Sequence, residues 1–79
     1  MNNKEVLNQL QEIFHDQLDD ESIILTSETT TDDVDDWDSL THIMLVVAIE
    51  KHFKIKFTSN ETLSWKNVGE MCESILIKL

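Results

Sequence analysis

Apolar residues recur at helical spacing in three stretches of this chain and alternate in a fourth. Val6, Leu7, Leu10, Ile13 and Phe14 stand at i, i+1, i+4, i+7 and i+8, which predicts an amphipathic helix from about Asn3 to Asp16 or slightly beyond. Residues 19–38 are polar and acidic, with a small apolar insert at Ile23, Ile24 and Leu25. A loop that long is often functional, and its insert should pin part of it to the core. A second helix follows to about Phe53, with Asp38 placed to accept a hydrogen bond from a free N–H of the next turn. The alternation in "KIKF" predicts an extended exit with Ile55 or Phe57 turned inward, and "TSNETL" one short helical turn capped by Thr58 or Ser59. Asn67, with Glu70 three positions on, resembles a capping box for a last helix. There Val68, Met71, Cys72, Ile75, Leu76 and Leu79 keep i, i+3, i+4, i+7, i+8 and i+11 spacing, so Cys72 reads as core. The expectation is an all-α bundle in a single domain over 1–79, with three longer helices, one short helix and a long first loop.

The second helix carries one apolar stripe too many. At about 100° per residue, Leu45, Val46, Ile49 and Phe53 share one broad side, with Ala48 at its margin, while Leu40, Ile43, Met44 and Val47 gather on the other. A 79-residue bundle can hardly bury a helix all round. The Leu45 to Phe53 stripe runs to the helix end and is assigned to the core. The Leu40 to Val47 stripe occupies only the first two turns, where it is either a docking surface or covered by the fourth helix or the long loop.

Composition and charge narrow the classes. The net charge of −10 repels nucleic acid, and the longest apolar run, "IMLVVAI", is too short to cross or enter a membrane. Residues 1–39 hold twelve acids and one lysine, whereas residues 40–79 hold four acids and five lysines. That acidic half is a solvated surface or steers a partner. One cysteine excludes an internal disulfide, and a reducing cytoplasm is the default compartment. The aspartates at 32, 33, 35, 36 and 38 lack the alternation, glycine and glutamate of an EF-hand, so no metal site is expected. His15, His42 and His52 are too far apart for a local metal motif and are expected at the surface, while Trp37 and Trp65 should be core or pocket-lining. A single glycine and no proline exclude a P-loop or dinucleotide fingerprint.

Ser39 stands between the acidic knot and the apolar helix. A serine beside Asp38 is not needed as a cap, and His42 one turn on does not make a triad without an oxyanion loop. A phosphate esterified to its hydroxyl would instead sit at a helix N-terminus, where free N–H groups and the positive dipole end favour an anion.

With its "DSL" opening an apolar helix about halfway along an acidic chain, the sequence resembles the acyl carrier proteins. The likeness spans nearly the whole chain: a first amphipathic helix, a long loop, "WDSLTHIMLVVAIEKHF", the exit "KIKF", a short third helix and a last apolar helix. The resemblance implies that Ser39, with Asp38 as motif residue and helix cap, is esterified by 4′-phosphopantetheine delivered from coenzyme A by a phosphopantetheinyl transferase. It further implies a monomeric, non-catalytic carrier whose thiol holds an acyl thioester for acyl-loading and acyl-transfer or condensing enzymes. Leu40, Ile43, Met44 and Val47 would then be the partner face.

Three positions depart from the family pattern. Asp36 stands where many members have glycine, Thr41 and Met44 stand where fatty-acid carriers are acidic, and Lys54 stands where a helix-ending glycine is common, so that its cap should be made differently. "WDSLTHI" is more similar to discrete carriers of specialised pathways, with polyketide, unusual acyl, aminoacyl or saccharide-decorating chemistry. An aminoacyl or peptidyl carrier is the neighbouring alternative. An unmodified acidic adaptor binding through the second helix is the alternative of a different class.

Overall fold

Each helix begins on a side chain that accepts the N–H groups its own first turn cannot use. In the computed structural model, which describes residues 1–79, α1 spans Asn3–Leu18 behind Asn2. The Asn2 side chain accepts from Glu5 N–H at 2.9 Å, and Glu5 returns a bond to Asn2 N–H at 3.2 Å. Helix α2 spans Ser39–Phe53 behind Asp38, α3 spans Ser59–Ser64 behind Thr58, and α4 spans Val68–Lys78 behind Asn67. The long loop is less irregular than expected, because Thr31–Asp33 make a 3₁₀ turn that Asp33 closes onto Thr30 N–H at 2.9 Å. At α4 the expected reciprocal box is only half formed. Asn67 accepts from Glu70 N–H at 3.0 Å, but the Glu70 carboxylate reaches past it to Lys66 N–H at 3.2 Å.

Helices α1 and α2 both end on a left-handed residue that is not glycine, Asp19 at φ 50° and Lys54 at φ 58°. The next N–H folds back onto His15 and Glu50 carbonyls respectively, each at 3.1 Å. The expectation of a different cap at Lys54 is therefore corrected: lysine adopts the backbone that glycine would. That conformation costs roughly 1–2 kcal/mol with a Cβ, against which the satisfied carbonyl works.

Helix α1 packs against both α2 and α4 around one core. Val6, Leu10, Ile13 and Phe14 face Leu45, Ile49 and Phe53 of α2 and Val68, Met71, Cys72 and Ile75 of α4. Ile55 and Phe57 both turn toward this core and are half-buried, as is Leu76, whereas Leu79 at the end of its stripe is exposed. Of the loop's apolar insert, Ile23 and Leu25 are buried and Ile24 is exposed, the alternation of extended chain. Val34 and Trp37 join them in the core. Burial pushes the Cys72 thiol up to about 11, with Glu73 adding to it, so this thiol is chemically quiet.

The loop also caps α4. The first two N–H groups of that helix, from Val68 and Gly69, donate to the carbonyls of Thr29 at 2.9 Å and Ser27 at 2.8 Å. A Cβ on Gly69 would lie 2.8 Å from the Ser27 oxygen, so the chain's only glycine sits where two backbones must touch.

Candidate functional site

The start of α2 is built by Asp38 and Thr41. One Asp38 carboxylate oxygen accepts from Leu40 N–H at 3.0 Å and Thr41 N–H at 2.9 Å. The Thr41 hydroxyl accepts from Asp38 N–H at 2.8 Å and donates to the Asp36 carbonyl at 2.7 Å. Threonine thus closes a capping box and ties the acidic knot to the helix at once, which a carboxylate could not do, having no proton to donate. The Thr41 N–H, first among these contacts, holds the Asp38 carboxyl below its ordinary range. The stabilisation from this cap is therefore complete above the ordinary carboxylate value of about 3.9 and is lost as pH falls through the depressed one.

Ser39 is the first helical residue, exposed, and its hydroxyl is engaged by no neighbour. The expected surplus of free N–H groups here is smaller than the sequence suggested. Asp38 consumes those of Leu40 and Thr41, which leaves the Ser39 N–H for a phosphate. The hydroxyl nevertheless suits a phosphodiester: it is accessible, unshared and at the positive end of a 15-residue helix.

His42 is turned away from Ser39. The Trp37 indole N–H donates to His42 Nδ1 at 3.1 Å, and His42 Nε2 lies 3.1 Å from the Thr62 carbonyl. An indole can only donate and a carbonyl can only accept, so the imidazole is neutral with its proton on Nε2. It is spoken for at both nitrogens and is no base for Ser39. Surface placement holds for His52 but is corrected for the other two. His42 is half-buried, and so is His15, whose Nε2 meets the Ile23 carbonyl at 2.6 Å. Both are fixed by backbone acceptors of other segments, which periodicity on their own helices cannot reveal.

Beside Ser39, between α2 and α3, lies a cleft of about 810 Å³. Ile43, Val47 and Leu63 form its apolar sides, Thr58, Ser59 and Thr62 a hydroxyl rim, and Trp37, Phe57 and Trp65 its aromatic floor. Val46, assigned to the core from sequence, is half-buried and lines this cleft instead. On the outer side of α2, Leu40, Ile43, Met44 and Val47 are 69%, 62%, 42% and 43% exposed; neither the loop nor α4 covers them. No grouping of acids, histidines and cysteine among these residues could hold a metal ion. The cap at Asp38 and the exposure of the outer stripe agree with the sequence reading, which missed the Trp37–His42–Thr62 chain. Only the spacing of Trp37 and His42 around the motif hinted at it.

The site is thus a free serine opening a capped helix, beside an apolar face and a cleft. The family described as phosphopantetheine attachment site matches residues 8–75, and the chain belongs to it. The solution NMR structure of the holo acyl carrier protein from Geobacter metallireducens is similar, at 45% identity and a TM-score of 0.87, covering 92% of this chain and 84% of that one. No curated protein sequence matches. The chain is an acyl carrier protein: a carrier, not a catalyst, with covalent 4′-phosphopantetheine as its cofactor.

Proposed function

We propose that Ser39 is the attachment point of the phosphopantetheine arm and that this single domain serves a specialised acyl pathway as a cytoplasmic monomer. When bound, the arm supplies the thiol that carries acyl groups as thioesters. The chain's own residues do the rest. Asp38 and Thr41 hold the start of α2 rigid, so that the Ser39 hydroxyl stands at a fixed place for the phosphopantetheinyl transferase. Leu40, Ile43, Met44 and Val47 present apolar surface to that transferase and to loading and transfer or condensing enzymes. The observation that carries this reading is the exposed, unengaged Ser39 hydroxyl at the head of the exposed α2 face.

Thr41 and Met44, in place of acids, support the specialised role. A partner selecting this face meets methyl groups where a basic patch would find carboxylates. The test is intact mass after incubation with coenzyme A and a broad-range phosphopantetheinyl transferase. Wild type is expected to gain one arm and Ser39→Ala none, with the fold of the variant preserved by Asp38. A Ser39→Ala protein that still gained the arm would sink the assignment.

A further inference from the structure

The cleft beside Ser39 ends at a wall. None of the eight completely buried core side chains, Leu45 and Ile49 of α2 among them, reaches its lining. Between cleft and core stand aromatic rings in sequence. Trp37 meets Phe14 edge-on at 5.0 Å and stacks on His42 at 6.0 Å, and His42 meets Trp65 edge-on at 5.9 Å. Hydrogen bonds fasten this series to α2, α3 and α4. Trp37 donates to His42, His42 to the Thr62 carbonyl of α3, and Trp65 Nε1 to Ser74 of α4 at 2.8 Å. No buried side-chain polar atom is left without a partner. Parting α2 from α3 would strand the His42 Nε2–H and the Thr62 carbonyl, groups that are expensive to leave unpaired away from water.

We propose that this hydrogen-bonded aromatic wall bars the bundle interior to cargo, that His42 is the residue setting the limit, and that the carrier serves short acyl groups resting in the outer cleft. The inference rests on the carrier reading with Ser39 as attachment point. Ile43, Val47 and Leu63 offer a short acyl group a shallow apolar bed within reach of Ser39. A long chain finds no way from the cleft into the core, and its distal carbons can only lie along the open, half-polar cleft beyond that bed.

The test loads wild type with acetyl, octanoyl or dodecanoyl arms from the matching acyl-coenzyme A, with intact mass confirming each product. Melting curves and amide NMR spectra follow. The three loaded wild-type forms should melt within about 2 °C of one another, and amide shifts should stay near Ile43, Val47 and Leu63. In His42→Ala, which cuts the wall, the dodecanoyl form should melt about 5 °C or more above the acetyl form, because a chain that enters binds only the folded state. Leu45 and Ile49 amides should then move. Trp37→Phe keeps a ring but removes the donor, and should respond in the same direction if His42→Ala fails to fold. A stepwise rise with chain length in wild type, or movement of Leu45 and Ile49 there, would overturn the barred interior. Variants as flat as wild type would overturn the role of His42. Failure of wild type to gain any arm would overturn the carrier reading, and this inference with it.

Discussion

Helix α2 has two apolar faces of the same chemistry and opposite fates. Leu45 and Ile49 are completely buried against α1, while Leu40 and Ile43, five residues before Leu45 and six before Ile49, are 69% and 62% exposed. Leucine stands on both faces, so hydropathy alone does not separate them. Register does: α1 lies along the side that runs to Phe53, whereas the side that begins at Ser39 is covered by no helix and only borders the cleft to α3. The inner face is where folding free energy comes from. The outer face leaves water in contact with apolar surface, free energy that only a second molecule can recover.

The comparison can be broken most directly by truncating one residue on each face. Leu45→Ala should lower stability by about 2–5 kcal/mol, the transfer loss plus an unfilled cavity. Ile43→Ala should cost within about 0.5 kcal/mol, as exposed substitutions do. Urea unfolding of the two variants decides the matter, and equal losses would erase the distinction between the faces. Met44→Glu sharpens it from the other direction. A carboxylate on the outer face should slow the loading or transfer step with the true partner by about tenfold, or about 1.4 kcal/mol, with melting near normal. Unchanged kinetics with a strongly lowered melting temperature would return Met44 to the core. Salt gives the smallest effect. Apolar burial gains about 25 cal/mol per Å², whereas exposed ion pairs give roughly 0–1 kcal/mol and fade with screening, so raising salt should change the transfer rate only modestly. The same salt series should raise the melting temperature slightly, since twelve acids crowd residues 1–39. A steep loss of transfer with salt would point to a charged interface instead.

The helices were legible because each declares itself locally. Asp38 and Asn67 are capping residues directly before apolar periodicity, Thr58 is one of the two cap candidates for the short turn, and all three are caps observed. The Ser39 motif and the division of α2 could be read for the same reason, apart from Val46, which sits at the boundary of its stripe and faces the cleft. What stayed hidden depends on residues far apart in the chain. Val34 carries no periodic signal, yet the 3₁₀ turn aims it into the core. The partners of His42 and His15 are backbone carbonyls at Thr62 and Ile23, and a carbonyl has no sequence identity to detect. Lys54 misled for another reason. Glycine is the easiest residue in a left-handed cap, but its preference is worth only about 1–2 kcal/mol, which tertiary context overrides.

The contact between Gly69 and Ser27 bears on the order in which this protein assembles. A helix of 11 residues is marginal alone, and two of the N–H groups that open α4 are satisfied only by carbonyls from the loop after α1. Closing so long a stretch of chain costs entropy before any bond repays it. Helix α4 and the loop should therefore become protected from hydrogen exchange together, as one cooperative unit, while α1 and α2 can pair through their shared core contacts without waiting for either.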